Sequence, residues 1–242
     1  MTLLLLAGTG EAQEIARALA EKGVRVIASL AGGSRVGAEL PVPTRKGGFG
    51  GEAGFRRFLE EEGITAVLDA THPFAHRISG RTARVCRALS MPYCQLLRPP
   101  WEAGRGDKWH EITSEEALAP LVAPGEVVFL ATGRQTLERF ANLGHARIIC
   151  RQIYPPEGPF PFPRGAFLVG HPPFSVEGEE ALFRELGVDW VVVKNAGGEA
   201  PRAKLVAARR LGIRVAMIAR PPQPDAPRVA TVDEALAWVA AL

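Results

Sequence analysis

Two short stretches carry the groups best suited to proton transfer and anion binding. Thr71-His72-Pro73-Phe74-Ala75-His76 follows the apolar run at residues 64–70, and Lys194-Asn195-Ala196-Gly197-Gly198 follows another at residues 188–193. An imidazole titrates near neutrality, and an ammonium at a strand end can hold a carboxylate or give up a proton. His72 is therefore the candidate proton donor. Lys194 is a candidate catalytic group, as a substrate-facing cation or a second proton source. His72 and His76 have the spacing of a metal pair on a helix. Pro73 places them across a strand end and a helix start instead, and no third ligand is evident, so no metal is expected. Asp69 lies inside an apolar run, and a buried carboxylate must be paired or protonated. It is expected to orient the loop that follows it.

The chain opens on a buried-strand pattern that runs into Gly8-Thr9-Gly10-Glu11 and then into helical spacing through Ile15 and Leu19. Glycines there let the backbone turn sharply, and the exposed N–H groups of a helix start suit a phosphate. The full dinucleotide fingerprint is incomplete, because Gln13 stands where a third small residue belongs. After the second strand pattern there is no acidic residue for a ribose 2′-OH; Ser29, Ser34 and Arg35 offer a 2′-phosphate site instead. Thr44-Arg45-Lys46-Gly47-Gly48-Phe49-Gly50-Gly51 reads as a ligand-facing loop, because glycine is costly to order. The candidate cofactor contacts are Gly8, Thr9, Gly10, Glu11, Ser29, Arg35, Gly47, Gly48, Phe49, Thr71, His72 and Pro73.

Strand and helix patterns alternate throughout, which implies parallel sheets with right-handed crossovers. The second half repeats the first. Thr132-Gly133-Arg134 echoes the opening turn, and residues 188–194 match 64–70 at a spacing of 124. Arg220-Pro221-Pro222 echoes Arg98-Pro99-Pro100, and Glu234-Ala235-Leu236-Ala237 echoes Glu116-Ala117-Leu118-Ala119. The expectation is an α/β protein of two similar Rossmann-like domains facing each other across a cleft. Residues 1–123 would hold NADPH and residues 124–242 would face the substrate through Gly133, Arg134, Lys194, Asn195 and Gly197.

Of the 242 residues 47% are hydrophobic, enough for a sizeable core, and no apolar run reaches the length of a membrane span. The first residues lack the basic stretch of a signal peptide, so a cytoplasmic protein is expected. Cys86, Cys94 and Cys150 show no paired spacing. A formal net charge of +3 excludes little, argues for no nucleic acid or membrane partner, and suits an anionic small molecule. A monomer is expected. The short-chain dehydrogenase Tyr/Lys pair, the G-x-S-x-G elbow and the P-loop are all missing from the sequence.

Taken together and in order, these motifs resemble the precorrin-6A reductase family of cobalamin biosynthesis, which includes the cobalt-precorrin-6A reductases. The resemblance is carried by Gly8-Thr9-Gly10-Glu11, Ser29-Leu30-Ala31-Gly32, Gly47-Gly48-Phe49-Gly50-Gly51 and Asp69-Ala70-Thr71-His72-Pro73-Phe74-Ala75. It continues through Arg98-Pro99-Pro100-Trp101, Thr132-Gly133-Arg134 and Lys194-Asn195-Ala196-Gly197-Gly198. It implies reduction of a ring double bond of precorrin-6A, or its cobalt form, by NADPH. The substrate would be an anionic, tetrapyrrole-like macrocycle. The chain departs from the family pattern at Ala196, where Ser is common, and at Gly33-Ser34, which stand before Arg35. The contrasting reading is a two-lobed, non-enzymatic binder of an anionic ligand, and a third is a different NADP-dependent reductase of a small substrate.

Overall fold

The computed structural model describes residues 1–31 and 39–242. Its elements run β1 (Thr2–Leu6), α1 (Gly10–Glu21), β2 (Arg25–Leu30), β3 (Thr44–Lys46), α2 (Gly51–Glu61), β4 (Ala66–Asp69), α3 (His76–Ala88) and β5 (Tyr93–Leu96). They continue with β6 (Lys108–Ile112), β7 (Val127–Leu130), β8 (Arg147–Gln152), β9 (Gly165–Val169), α4 (Val176–Leu186), β10 (Trp190–Lys194), α5 (Ala203–Leu211) and β11 (Arg214–Ile218). The chain ends with β12 (Arg228–Val229) and α6 (Val232–Ala240). Two longer 3₁₀ segments, Glu115–Leu121 and Arg134–Leu143, precede and follow β7.

The strands form two six-stranded sheets, ordered β12-β5-β4-β1-β2-β3 and β6-β11-β10-β7-β8-β9. Every pairing is parallel. The two orders are the same once each repeat is numbered from its own start. Local bonding agrees: the Thr65 side chain accepts from the Thr2 N–H at 3.0 Å, and Asp189 does the same for Val127 at 2.9 Å.

The boundary between the units differs from the expected break after residue 123. One compact unit is Met1–Pro99 with Pro221–Leu242, and the other is Pro100–Arg220. β6 joins the second sheet, pairing from Lys108↔Arg214 to Ile112↔Ile218, and β12 joins the first beside β5. Each repeat gives its final strand to the sheet of the other, and the two Arg-Pro-Pro corners mark the points of exchange. The sequence repeat identifies equivalent strands. It does not say which of two equivalent sheet edges a strand will pair with, because both edges offer the same hydrogen bonds.

The apolar opening run is explained by burial on both faces, as expected for an interior parallel strand. Leu3 and Leu5 pack with Ala12, Ile15, Leu19 and Val239, whereas Leu4 and Leu6 pack with Phe55, Leu59, Val67 and Val85. In the second unit Phe129, Phe183, Val191, Val193, Leu205 and Val215 form the equivalent layer on one face. The Glu-Ala-Leu-Ala echo lies in an α-helix in one unit and in a 3₁₀ segment in the other. Pro120 interrupts the latter, and its missing N–H cannot continue an α-helical ladder.

Candidate active site

In the first unit the strand carboxyl ends gather the predicted turn and loops. Gly8 has φ 155°, a conformation that side chains rarely adopt, and a Cβ built on Gly8 or Gly10 would meet nothing within 4 Å. The turn is thus open on its outer face. Thr9 is the N-cap of α1, accepting from Ala12 N–H at 3.2 Å, and its hydroxyl donates to the Ala70 carbonyl at 2.9 Å. One side chain therefore orders the helix start and ties it to the end of β4. The remaining first-turn N–H groups are the ones an anion would use. Glu11 is engaged within the protein, because Arg98 Nη1 donates to its two carboxylate oxygens at 2.7 and 2.9 Å. Burial pushes the Glu11 carboxyl up, but its own backbone N–H and Arg98 outweigh burial and hold it below the ordinary value.

Ser29, at the end of β2, accepts from Arg45 Nη1 at 2.9 Å. The same guanidinium donates to the carbonyls of Gly47 and Gly48, each at 2.9 Å, and lies 4.0 Å over the Phe49 ring. Phe49 is buried edge-on against Phe55 and Phe58 at 4.8 and 5.1 Å. It anchors the glycine loop in the core. A Cβ on Gly54 would sit 1.8 Å from the Phe49 carbonyl oxygen, so only glycine lets α2 pass this close. Arg45 and Gly54 escaped the sequence reading; the signal for Arg45 was a cation directly beside the glycines. Ser34 and Arg35 lie outside the described residues.

Asp69 is fully buried at the end of β4. It accepts from Thr71 N–H at 3.1 Å, Thr71 Oγ1 at 2.7 Å and Tyr93 O–H at 2.9 Å. Burial first, then the Asp69 charge, pushes the Tyr93 phenol far up, so it stays a donor. The Asp69 carboxylate thereby fixes the first residue of the loop, in line with the orienting role expected of it. His72 Nδ1 accepts from Phe74 N–H at 3.3 Å, which leaves the proton of neutral imidazole on Nε2. Pro73 is buried, and its carbonyl accepts from Gln223 Nε2 at 2.9 Å. His76 begins α3 and so does not share a helix face with His72. Among the described residues no group of three or more His, Cys, Asp and Glu is arranged to hold a metal. A cavity of about 630 Å³ opens at the start of β5, lined in part by Arg87, Tyr93, Asp225 and Trp238, and holds none of the predicted site residues.

The second unit builds the equivalent places differently. Gly133 has φ 73°, no side chain caps the segment that follows, and that segment, Arg134–Leu143, is 3₁₀ rather than α-helical. Arg134 is exposed, 3.7 Å from Glu157. Lys194 ends β10 with its ammonium 3.9 Å from Glu115. Asn195 uses both ends of its amide on the Trp101 backbone: Oδ1 accepts from the N–H at 2.8 Å and Nδ2 donates to the carbonyl at 3.0 Å. Trp101 Nε1 donates to the Gly198 carbonyl at 2.8 Å, closing the loop around Gly197. The Asn195 amide therefore clamps Trp101, a use of this side chain that its type and spacing did not reveal. No helix among the described residues is long and apolar enough to cross a membrane.

The model of the family described as precorrin-6x reductase CbiJ/CobK matches residues 2–240. The precorrin-6A reductase of Rhodobacter capsulatus is 40% identical over 239 residues, covering 98% of this chain and 95% of that one. The precorrin-6A reductase of Mycobacterium tuberculosis is 43% identical over 244 residues, covering 99% and 98%. A solved structure of CobK precorrin-6A reductase superposes with a TM-score of 0.93 at 39% identity, covering 100% of this chain and 97% of that one. The two exchanged-strand parallel sheets, the capped glycine turn and the Asp69-anchored histidine loop are those of a chain that belongs to the precorrin-6x reductase CbiJ/CobK family.

Proposed function

We propose that this protein reduces a ring double bond of precorrin-6A in cobalamin biosynthesis, with NADPH held by the first unit and the macrocycle served by the second. The observation that carries this division of labour is the Thr9-capped start of α1. It offers ordered N–H groups beneath an open glycine face, where the matching turn of the second unit leads into an uncapped 3₁₀ segment. A pyrophosphate fits the first and not the second. The preference for NADPH rests on the end of β2, where Ser29 is paired with the Arg45 guanidinium and the sequence from Ser29 to Ala38 carries no acidic residue for a free ribose hydroxyl. Gly47, Gly48 and Phe49 would border the same nucleotide, and Thr71, His72 and Pro73 would lie along its nicotinamide end.

When bound, the nicotinamide supplies the hydride. The chain's own residues position and polarise. Asp69 and Tyr93 hold Thr71, and Gln223 holds Pro73, so His72 sits on a braced loop. His72 on this loop is the proposed proton donor, acting in its protonated imidazolium form, to the carbon that must gain a proton. Lys194 and Arg134 are cations for a macrocycle bearing several carboxylates. Gly133, Asn195 and Gly197 shape the backbone around them, Asn195 through its hold on Trp101. The protein is read as a monomer working in the cytoplasm.

The test is steady-state turnover of precorrin-6A and cobalt-precorrin-6A, side by side, with NADPH and with NADH. Oxidation of NADPH in step with macrocycle reduction, and a much higher KM for NADH, is the expected result. A folded protein that binds the tetrapyrrole and consumes neither nucleotide would instead be a non-enzymatic anion binder.

A further inference from the structure

The second unit contains a charged cluster at the carboxyl end of β10. Glu115 is almost fully buried, with 3% of its side chain exposed, and sits between two cations. Lys194 Nζ is 3.9 Å from Oε1, and Arg139 Nη1 is 2.5 Å from Oε2. Arg139 is held in turn by Glu116, through bonds of 2.7 and 2.9 Å, and Asn142 Nδ2 donates to the Glu116 carbonyl at 2.8 Å. The two 3₁₀ segments thereby grip each other, and the Glu115 carboxylate is fixed in front of the last residue of β10.

Internal duplication shows what the fold itself requires. Lys194 occupies the position of Ala70, at the same spacing of 124 that relates Asp189 to Thr65. In the register set by the Glu-Ala-Leu-Ala echo, Glu115 corresponds to Asp233, which is exposed where Glu115 is buried. Ala70 is buried and apolar, so the first unit has no cation at the strand-end position that Lys194 fills. Burying two charges costs desolvation that their attraction recovers only in part, and an apolar replacement is often neutral or stabilising. The first unit closes with a buried Ala70 and an exposed Asp233 at these positions, so the buried pair of the second unit is serving something other than folding. Its location is the carboxyl edge of a parallel sheet, where such folds bind ligands.

We propose that Glu115 is a positioning residue for Lys194, fixing its ammonium at the end of β10 so that it meets a substrate carboxylate. This rests on the reading of Lys194 as a substrate-facing cation. Among the described residues, Glu115 and Arg139 are charged groups that act on Lys194. Burial lowers the Lys194 pKa first, Glu115 opposes that, and Arg139 adds to it. Removing the Glu115 charge therefore takes away an attraction that keeps the amine protonated at rising pH.

The experiment is a double-mutant cycle on kcat/KM for the tetrapyrrole, with Lys194→Ala, Glu115→Val and the two combined. The combination removes both charges together, leaving neither buried without its partner, and should fold; thermal melts check this. Both single variants should lose activity, Glu115→Val on the order of tenfold, mainly through KM for the tetrapyrrole with the affinity for NADPH unchanged. In the Lys194→Ala background, Glu115→Val should add nothing. Glu115→Gln, which keeps the shape, should move the alkaline limb of the pH profile to lower pH. Losses that multiply in the double variant, or a Glu115→Gln profile superimposable on that of the parent, would overturn the positioning role while leaving Lys194 in place. A Lys194→Ala variant with undiminished kcat/KM would overturn the reading of Lys194 and the proposal with it.

Discussion

Replacing Thr9 by Val should cost about 2 kcal/mol of stability. Valine keeps the shape of threonine and deletes only the hydroxyl, which does two jobs. It accepts from Ala12 N–H at 3.2 Å as the cap of α1, and it donates to the Ala70 carbonyl at 2.9 Å. Loss of a threonine cap costs about 1 kcal/mol, and a part-buried carbonyl stripped of its donor costs about 1 kcal/mol more. Thr9→Ser keeps the hydroxyl and should stay within about 0.5 kcal/mol of the parent, the scatter of substitutions that break no specific interaction. Urea unfolding of the three proteins gives the differences, and a NADPH titration gives the consequence for the site. Thr9→Val should bind NADPH more weakly, because the N–H groups of the first turn are no longer held in register with the end of β4. If Thr9→Val were as stable as Thr9→Ser and bound NADPH as tightly, the link from Thr9 to Ala70 would have no bearing on the nucleotide site, and the placement of NADPH on the first unit would lose its main support.

Gly54→Ala places a Cβ 1.8 Å from the Phe49 carbonyl oxygen, so α2 and the glycine loop must separate. Overpacking of this kind costs about 1–3 kcal/mol, and a lowered melting temperature with weakened NADPH binding is expected. Tyr93→Phe removes the 2.9 Å donor from the buried Asp69 carboxylate, a loss of about 1–3 kcal/mol by denaturant titration; the effect should shrink when Asp69→Asn is already present. Glu11 has a folded-state pKa below its unfolded one, held down by its backbone N–H and Arg98 against the opposing effect of burial. Its contribution to stability is therefore full above the ordinary carboxylate pKa and disappears as pH falls through the lowered folded-state value. Melting curves from neutral to strongly acidic pH should fall more steeply for the parent than for Glu11→Gln.

The parts of this architecture written in local patterning were legible in the sequence. The buried opening strand announces itself because all of its positions are apolar, and the turn after it because glycine and threonine have few other uses between a strand and a helix. Asp69 was legible as an oddity, a carboxylate in an apolar run that had to find partners, and it finds Thr71 and Tyr93. What escaped were pairings between segments distant in the chain. The exchange of β6 and β12 depends on which of two equivalent edges each strand meets. Glu115 reads as an ordinary residue of a polar helix start until the fold brings Lys194 to it across 79 positions (194 − 115). Asn195 resembled a ligand contact because side-chain amides at strand ends often are, and nothing local showed that Trp101 would occupy both ends of it. Arg45 was visible only as a charge near glycines; its grip on Ser29, Gly47 and Gly48 is a product of tertiary geometry.

The central claim is that a nicotinamide held by the first unit passes hydride to a tetrapyrrole. NADPH labelled with deuterium on each face of nicotinamide C4 in turn, incubated with precorrin-6A and the enzyme and followed by mass spectrometry, tests it directly. One labelled form should give a product carrying a single deuterium, the other an unlabelled product of the same reduction, with one nucleotide consumed per macrocycle. A reduced macrocycle free of deuterium from both forms, or unchanged precorrin-6A in the presence of bound NADPH, would contradict the account.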